Sequence, residues 1–556
     1  MSTLKNTSMR AAFARRNLVI ERYRRTRVLI IEDSAEARGV LRTMMSDAGV
    51  EKIDMVSSGQ EAIESIQSHK YNLILCDYNL GKGKDGQQVL EEARFSKSLG
   101  QSTIFIMITA ETSVEMVMGA LEYQPDSYLT KPYSKKALMM RLDRAIASKI
   151  EYGDIERCYE DEQFNEAIKL CDAKIEFDPE RAMRALRVKG ECLFKTKRFE
   201  EAKALYSLVL EEKQVPWAKI GLGKSLFSLK EYEPAKVLFS ELIQEQPNVV
   251  ESYDWLSKIE VAQQKPREAQ DTLEKAVSRS PKAVLRQMQL ARLALSNRSY
   301  LVAEKSFKKS IKLANNSCYN TPNNYLQYIR TLLVKIDRYK SQISRDAFNE
   351  AKIFLGRLRK EFEKDALVEF RALMLEALVY FTYGDSVESD KMADRASSLY
   401  GAFERDTKVK LAEEYISGLT LVGRIEECQA FIHNMQKKAN HPDLANRLLM
   451  RVKEGKQRIH CENLNSEAMS LYDKGQIIGA YEKFSEAAET HGASAAILLN
   501  ALGVCMELAE REDLNREGWY RESKSYLERL NVLDRCDHRY ESYLDFKSRY
   551  QALPPL

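Results

Sequence analysis

Over the first 150 residues, short unbroken apolar runs alternate with amphipathic stretches. The clearest runs are Val28–Ile31, ending in Glu32 and Asp33, and Leu73–Cys76, ending in Asp77. Two more are Thr103–Ile108, ending in Thr109 and Ala110, and Ser127–Leu129, ending in Thr130, Lys131 and Pro132. A weaker run spans Lys52–Val56. The intervening stretches, Ala35–Ala48, Gln60–His69, Gly86–Leu99, Ser113–Leu121 and Lys135–Lys149, have helical spacing. Apolar runs without a polar alternation read as strands buried on both faces, which is the state of a parallel sheet covered by helices. Five strand–helix units predict a small doubly wound α/β domain over residues 26–150.

Beyond about residue 150 the strand pattern stops and a helical one repeats. Phe164-Asn-Glu-Ala167 precedes Pro179, Phe199-Glu-Glu-Ala202 precedes Pro216, and Tyr232-Glu-Pro-Ala235 precedes Pro247. Ala269 precedes Pro281, and Ala303 follows. These alanines lie 35, 33, 34 and 34 residues apart. A small residue at that period allows paired helices to approach closely, an aromatic closes the turn between them, and a proline ends the second helix of each pair. The period and composition resemble those of tetratricopeptide repeats, which predicts a helical solenoid over residues 151–318. Residues 319–460 read as degenerate helical repeats, with helix pairs turning at Gly384 and Gly423, and residues 461–556 as a repeat-like helical region containing Gly475 and a helix over Ala495–Glu510.

The chain has 556 residues and a net charge of only +4, so it is not a polyanion binder as a whole. Residues 1–25 form a basic leader, read as a solvated segment. No apolar run reaches the length of a membrane span, and no signal peptide is legible, so a cytoplasmic location is expected. The nine cysteines show neither C-x-x-C pairs nor metal spacing and read as buried thiols. No nucleotide-binding loop, zinc-protease motif or DNA-recognition helix is found, so nucleic acid is not an expected partner.

In a doubly wound sheet, chemistry sits at the carboxyl ends of the strands. There the sequence collects Glu32, Asp33, Asp77, Thr109 and Lys131. Three converging carboxylates repel one another unless a hard cation with oxygen ligands joins them, and Mg²⁺ suits that role. With a lysine nearby, such a set suits phosphoryl transfer to a carboxylate, with Asp77 as the nucleophile and Thr109 donating a hydrogen bond.

These residues, in this order, resemble the receiver domain of CheY-like response regulators, and the resemblance covers residues 26–150. It implies a flavodoxin-like (βα)5 fold. It makes Glu32 and Asp33 the Mg²⁺-binding acidic pair, Asp77 the phosphorylated aspartate, and Asn79 a metal ligand through its backbone carbonyl. Thr109 becomes the switch hydroxyl, Lys131 with Pro132 the phosphoryl-binding lysine, and Tyr128 the aromatic that changes rotamer on activation. Ala110 stands where bulk would obstruct access; Glu111 and Asn79 stand where dephosphorylation is tuned. The loop between Asp77 and Asp85 departs from the family, being one residue longer and lacking its usual proline.

The expectation is therefore a response regulator of a phosphorelay, with no enzymatic activity beyond its own phosphorylation and dephosphorylation. Its partners would be a histidine kinase or phosphotransfer protein and a protein bound in the repeat groove. The signal would pass to the repeats through the fourth and fifth strands and their helices. Two other outputs fit the sequence, a cryptic helical DNA-binding function and a repeat module that promotes dephosphorylation of a partner receiver.

Overall fold

The computed structural model describes residues 26–100, 103–110, 125–179, 182–336, 341–437, 442–490, 494–510, 516–533 and 539–552. The basic leader, the expected helix at 113–121 and Glu111 lie outside these residues. Five parallel strands, β1 (Arg27–Ile31), β2 (Lys52–Val56), β3 (Leu73–Asp77), β4 (Ile104–Thr109) and β5 (Ser127–Thr130), form one sheet in the order β2-β1-β3-β4-β5. Every residue of β3 and β4 is buried, which explains their unbroken apolar character, whereas β2, on the edge, alternates with charged residues.

Side chains of successive strand residues enter opposite layers. Val28, Ile30, Leu73, Leu75, Ile106 and Ile108 pack with α1 (Ala35–Ser46) and the start of α4 (Lys135–Glu160). Leu29, Ile31, Ile74, Cys76, Phe105 and Met107 pack with α2 (Gly59–Ser68) and α3 (Gly86–Phe95). Ser34, Ser58, Asp85 and Ser134 cap the four helices through their side chains, each satisfying an amide that has no partner within its helix.

Helix α4 does not stop at the end of the α/β domain. Its Leu138, Leu142 and Ile146 belong to the sheet's core, and its Tyr152 and Ile155 pack with Cys171 and Ala185 of the next helices. The chain therefore passes residue 150 inside a helix.

The repeats follow as α5 (Phe164–Phe177), α6 (Met183–Lys195), α7 (Phe199–Glu212), α8 (Pro216–Ser228), α9 (Tyr232–Glu245), α10 (Glu251–Ala262), α11 (Pro266–Arg279), α12 (Val284–Ser296) and α13 (Tyr300–Ala314). Ala167, Ala202, Ala235, Ala269 and Ala303 are all fully buried. Five residues before each stands a left-handed residue, Glu162, Lys197, Lys230, Gln264 or Arg298, with φ between 57° and 64°. These turns are clasped by ring pairs at three sites, Tyr159–Phe164, Phe194–Phe199 and Phe227–Tyr232, with centroids 5.5, 5.2 and 5.6 Å apart. Pro179, Pro247 and Pro281 follow helix ends, but Pro216 opens α8 instead of closing α7, because a helix's first amides need no partner.

The chain forms two compact units, Met1–Leu290 with Lys309–Asn320, and Ala291–Lys308 with Thr321–Leu556. The second unit continues with α14 (Pro322–Leu332), α15 (Gln342–Glu361), α16 (Ala366–Tyr383), α17 (Ser386–Ala402), α18 (Arg405–Leu421), α19 (Ile425–Lys437), α20 (Pro442–Asp473), α21 (Ile477–Glu489), α22 (Ala495–Glu510), α23 (Arg516–Leu530) and α24 (Tyr540–Ala552). Gly384 and Gly423 stand at the expected turns with positive φ, and Gly475 too has positive φ. The chain passes residue 460 inside α20. Among the described residues no helix is long and apolar enough to cross a membrane.

Candidate functional site

The carboxyl ends of β1, β3, β4 and β5 deliver the candidate residues to one place. Glu32 and Asp33 follow β1, Asp77 ends β3, Thr109 ends β4 and Lys131 follows β5. The register holds them there: Lys131 donates its backbone N–H to the Thr109 carbonyl at 2.7 Å, and Tyr78 donates to the Ile108 carbonyl at 2.7 Å. Glu32 and Asp77 are buried, at 1% and 6% exposure, while Asp33 faces solvent. One carboxylate oxygen from each of Glu32, Asp33 and Asp77 lies within 4.8 Å of the other two. This donor set is all hard oxygen and carries three formal negative charges, which fits a divalent cation.

Lys131 bridges the buried pair, its Nζ 2.9 Å from Glu32 Oε2 and 3.2 Å from Asp77 Oδ2. Burial works against its charge, but the hydrogen bonds to both carboxylates outweigh that and hold its pKa above the usual lysine value. Asp77 is pushed up to about 6, by burial first and the Glu32 charge second, with Lys131 opposing. Its acidity is thus set by a contest that one lysine does not win alone.

Thr109 is buried, Ala110 is exposed, and Asn79 is exposed with its side-chain oxygen accepting from the Gly81 N–H at 3.3 Å. Tyr128 is half-buried against the α2–α3 core layer. Its hydroxyl is shielded from solvent without a hydrogen-bond partner among the described residues, and burial pushes its pKa upward. The Lys131–Pro132 peptide is cis.

Two contributors escape a reading of the sequence. Arg38 of α1 donates through Nη1 to the Asp33 carbonyl at 3.3 Å and also to that of Glu32, tying down the acidic pair by its backbone. Gly86, read from the sequence only as the start of a helix, packs its Cα against Asp77: a Cβ there would lie 2.2 Å from the Asp77 carbonyl oxygen. The Asp85-Gly86 pair was the available signal, since glycine at a helix start often marks close backbone approach.

Residues 28–143 match the family model of the response regulator receiver domain, and residues 256–317 match that of the tetratricopeptide repeat. Among curated proteins, the transcriptional regulatory protein DltR of Streptococcus agalactiae is 28% identical over 116 residues, 21% of this chain and 50% of DltR. The chain thus spans about half the length of that relative. Chemotaxis protein CheY-3 of Vibrio cholerae is 24% identical over 118 residues, 21% of this chain and 89% of CheY-3. Among solved structures, Vibrio cholerae CheY4 is 25% identical and covers 22% of this chain and 98% of its own, with a TM-score of 0.20. The chain therefore carries a flavodoxin-like response regulator receiver domain followed by a tetratricopeptide-type helical region.

Proposed function

We propose that the protein is the response regulator of a phosphorelay, which accepts a phosphoryl group on Asp77 from a histidine kinase or phosphotransfer protein and controls protein binding through its repeats. The observation that carries this reading is the cluster of Glu32, Asp33 and Asp77, within 4.8 Å of one another, with Lys131 paired to two of them. In the proposed step a carboxylate oxygen of Asp77 attacks the phosphorus of a phosphohistidine. A P–O bond forms, the P–N bond breaks, and the imidazole leaves with the electron pair. Glu32, Asp33, Asp77 and the Asn79 carbonyl would hold Mg²⁺, which when bound offsets negative charge on the phosphoryl oxygens. Lys131 keeps its bond to Glu32 and turns from Asp77 Oδ2 to a phosphoryl oxygen, and the Thr109 hydroxyl donates to another. Tyr128, on the strand next to Thr109, reads the resulting shift.

Treatment of the full chain with phosphoramidate and Mg²⁺, followed by intact mass measurement, tests the acceptor. The expected result is one added phosphoryl group on the wild type and none on Asp77→Asn. Addition to Asp77→Asn at the wild-type level would remove Asp77 from the mechanism.

A further inference from the structure

The contacts of the loop that leaves Asp77 reach beyond the receiver. Lys84 pairs its Nζ with Glu92 Oε2 at 2.9 Å and donates to the backbone carbonyl of Asn316, also at 2.9 Å. Gln88 accepts the Asp85 N–H on Oε1 at 3.1 Å, completing a capping box at the start of α3. The same side chain donates through Nε2 to the carbonyls of Asn315 at 3.0 Å and Leu313 at 3.5 Å. Ser317 Oγ donates to Glu91 Oε2 at 3.5 Å, and the Phe95 and Tyr319 rings meet edge to face.

All the accepting carbonyls belong to the end of α13 and the turn behind it, where Asn316 is left-handed at φ 63°. The last carbonyls of a helix have no amide partner of their own, and a cation there meets the negative end of the helix dipole. The receiver therefore supplies the C-terminal cap of a repeat helix. A polar line leads back from it: Gln87 donates to Glu91 at 3.1 Å, and the Tyr78 hydroxyl donates to Gln87 at 3.2 Å. Gln87 and Glu91 are buried, and Tyr78 directly follows Asp77.

We infer that this cap passes the state of Asp77 to the repeats, through the loop 78–85 and α3, with Lys84 and Gln88 holding the end of α13. The inference rests on Asp77 being the phosphoryl acceptor. The loop is anchored at both ends. Gly86 touches the Asp77 carbonyl and donates its N–H to the Tyr78 carbonyl at 2.8 Å, so displacement of residues 78–79 reaches α3 and Lys84 directly. Any group at Asp77 that draws on Asn79 pulls on the same eight residues. Coupling of this kind is reciprocal, so loosening the cap must alter ligand affinity at Asp77 by the same factor.

Hydrogen exchange of the full chain, with and without beryllofluoride and Mg²⁺, tests the inference, with ¹⁹F NMR reporting bound beryllofluoride. Loading is expected to change amide exchange over residues 313–319 by about fivefold or more. The double variant Lys84→Met/Gln88→Glu, which keeps the α3 capping acceptor, is expected to load but to lose that change; Lys84→Met alone is the milder version. Loading without any change at 313–319 in the wild type overturns the inference and leaves the Asp77 reading standing. Absence of bound beryllofluoride overturns both.

Discussion

A carboxylate that acts as a nucleophile must be ionised, yet Asp77 sits where burial and Glu32 oppose ionisation. Its pKa of about 6 lies above the ordinary 3.8, so between those values the folded state holds the proton more tightly than the unfolded chain. Well below pH 3.8 both states are protonated; as pH rises from there to about 6, the unfolded chain ionises while the folded state keeps its proton, so stability falls over that window and levels off above it. At neutral pH without metal, the charge on Asp77 costs about 2–3 kcal/mol. Asp77→Asn is therefore expected to melt higher than the wild type in EDTA at pH 7.5, with the gap closing towards pH 4, in paired thermal denaturation curves. A gap that is absent at pH 7.5, or widest at pH 4, would contradict this balance. Mg²⁺ is expected to stabilise the wild type more than Asp77→Asn, since it binds the folded site. Glu32, Asp33, Asp77, Thr109 and Lys131 were legible because each ends or follows an apolar strand, whereas Asn79 and Tyr128 came only from the family resemblance. Arg38 was not, because it acts on backbone carbonyls and carries no motif of its own. Lys84 and Gln88 were not, because their partners lie more than 200 residues away.

Among the elements, the repeats became visible through their alanines and not through their turns. The left-handed turn residues are Glu, Lys, Gln and Arg, so the glycine that usually announces such a turn is missing. The same residues keep the period of the alanines because each turn is fixed five positions ahead of the buried contact. Pro216 was misread since proline fits both after a helix and at the head of the next. Packing in the repeats depends on glycine where rings approach the backbone: a Cβ on Gly190 or Gly221 would lie 2.5 or 2.3 Å from Cζ of Tyr206, and one on Gly223 2.4 Å from Cζ of Phe239. The Tyr206 ring is buried between Gly190 and Gly221. Gly221→Ala is expected to destabilise the first unit by about 1–3 kcal/mol in urea titrations, and Tyr206→Leu to restore part of that loss in the double variant. An unchanged midpoint for Gly221→Ala would show that the ring moves freely.

At the scale of the molecule, the receiver and the first repeats share helix α4. The sequence reading ended that helix at Lys149 because the apolar stripe of Leu138, Leu142 and Ile146 runs out there. The stripe does not stop; Tyr152 and Ile155 continue it roughly 100° around the helix, facing the repeats instead of the sheet. A single amphipathic face was sought, and the helix has two in succession. Ion pairs bind the joint, with Lys149 bridging Asp126 at 3.5 Å and Glu156 at 3.2 Å, and Arg184 pairing with Glu156. Proline at the exposed Ile150 removes a helical hydrogen bond and clashes with the preceding turn, costing about 3 kcal/mol or more. Ile150→Pro is expected to split the melting of the first unit into separate receiver and repeat transitions in calorimetry; an unaltered profile would mean that the two parts are not joined through α4.

The shared helix also governs how such a protein could be recombined. A receiver on a loose tether can be exchanged at almost any position in the tether. One fused through a rigid helix is keyed by rotation: a single added residue turns everything beyond it by about 100° and advances it by about 1.5 Å. Grafts at this joint would therefore succeed in steps of about seven residues, close to two full turns, and fail between them.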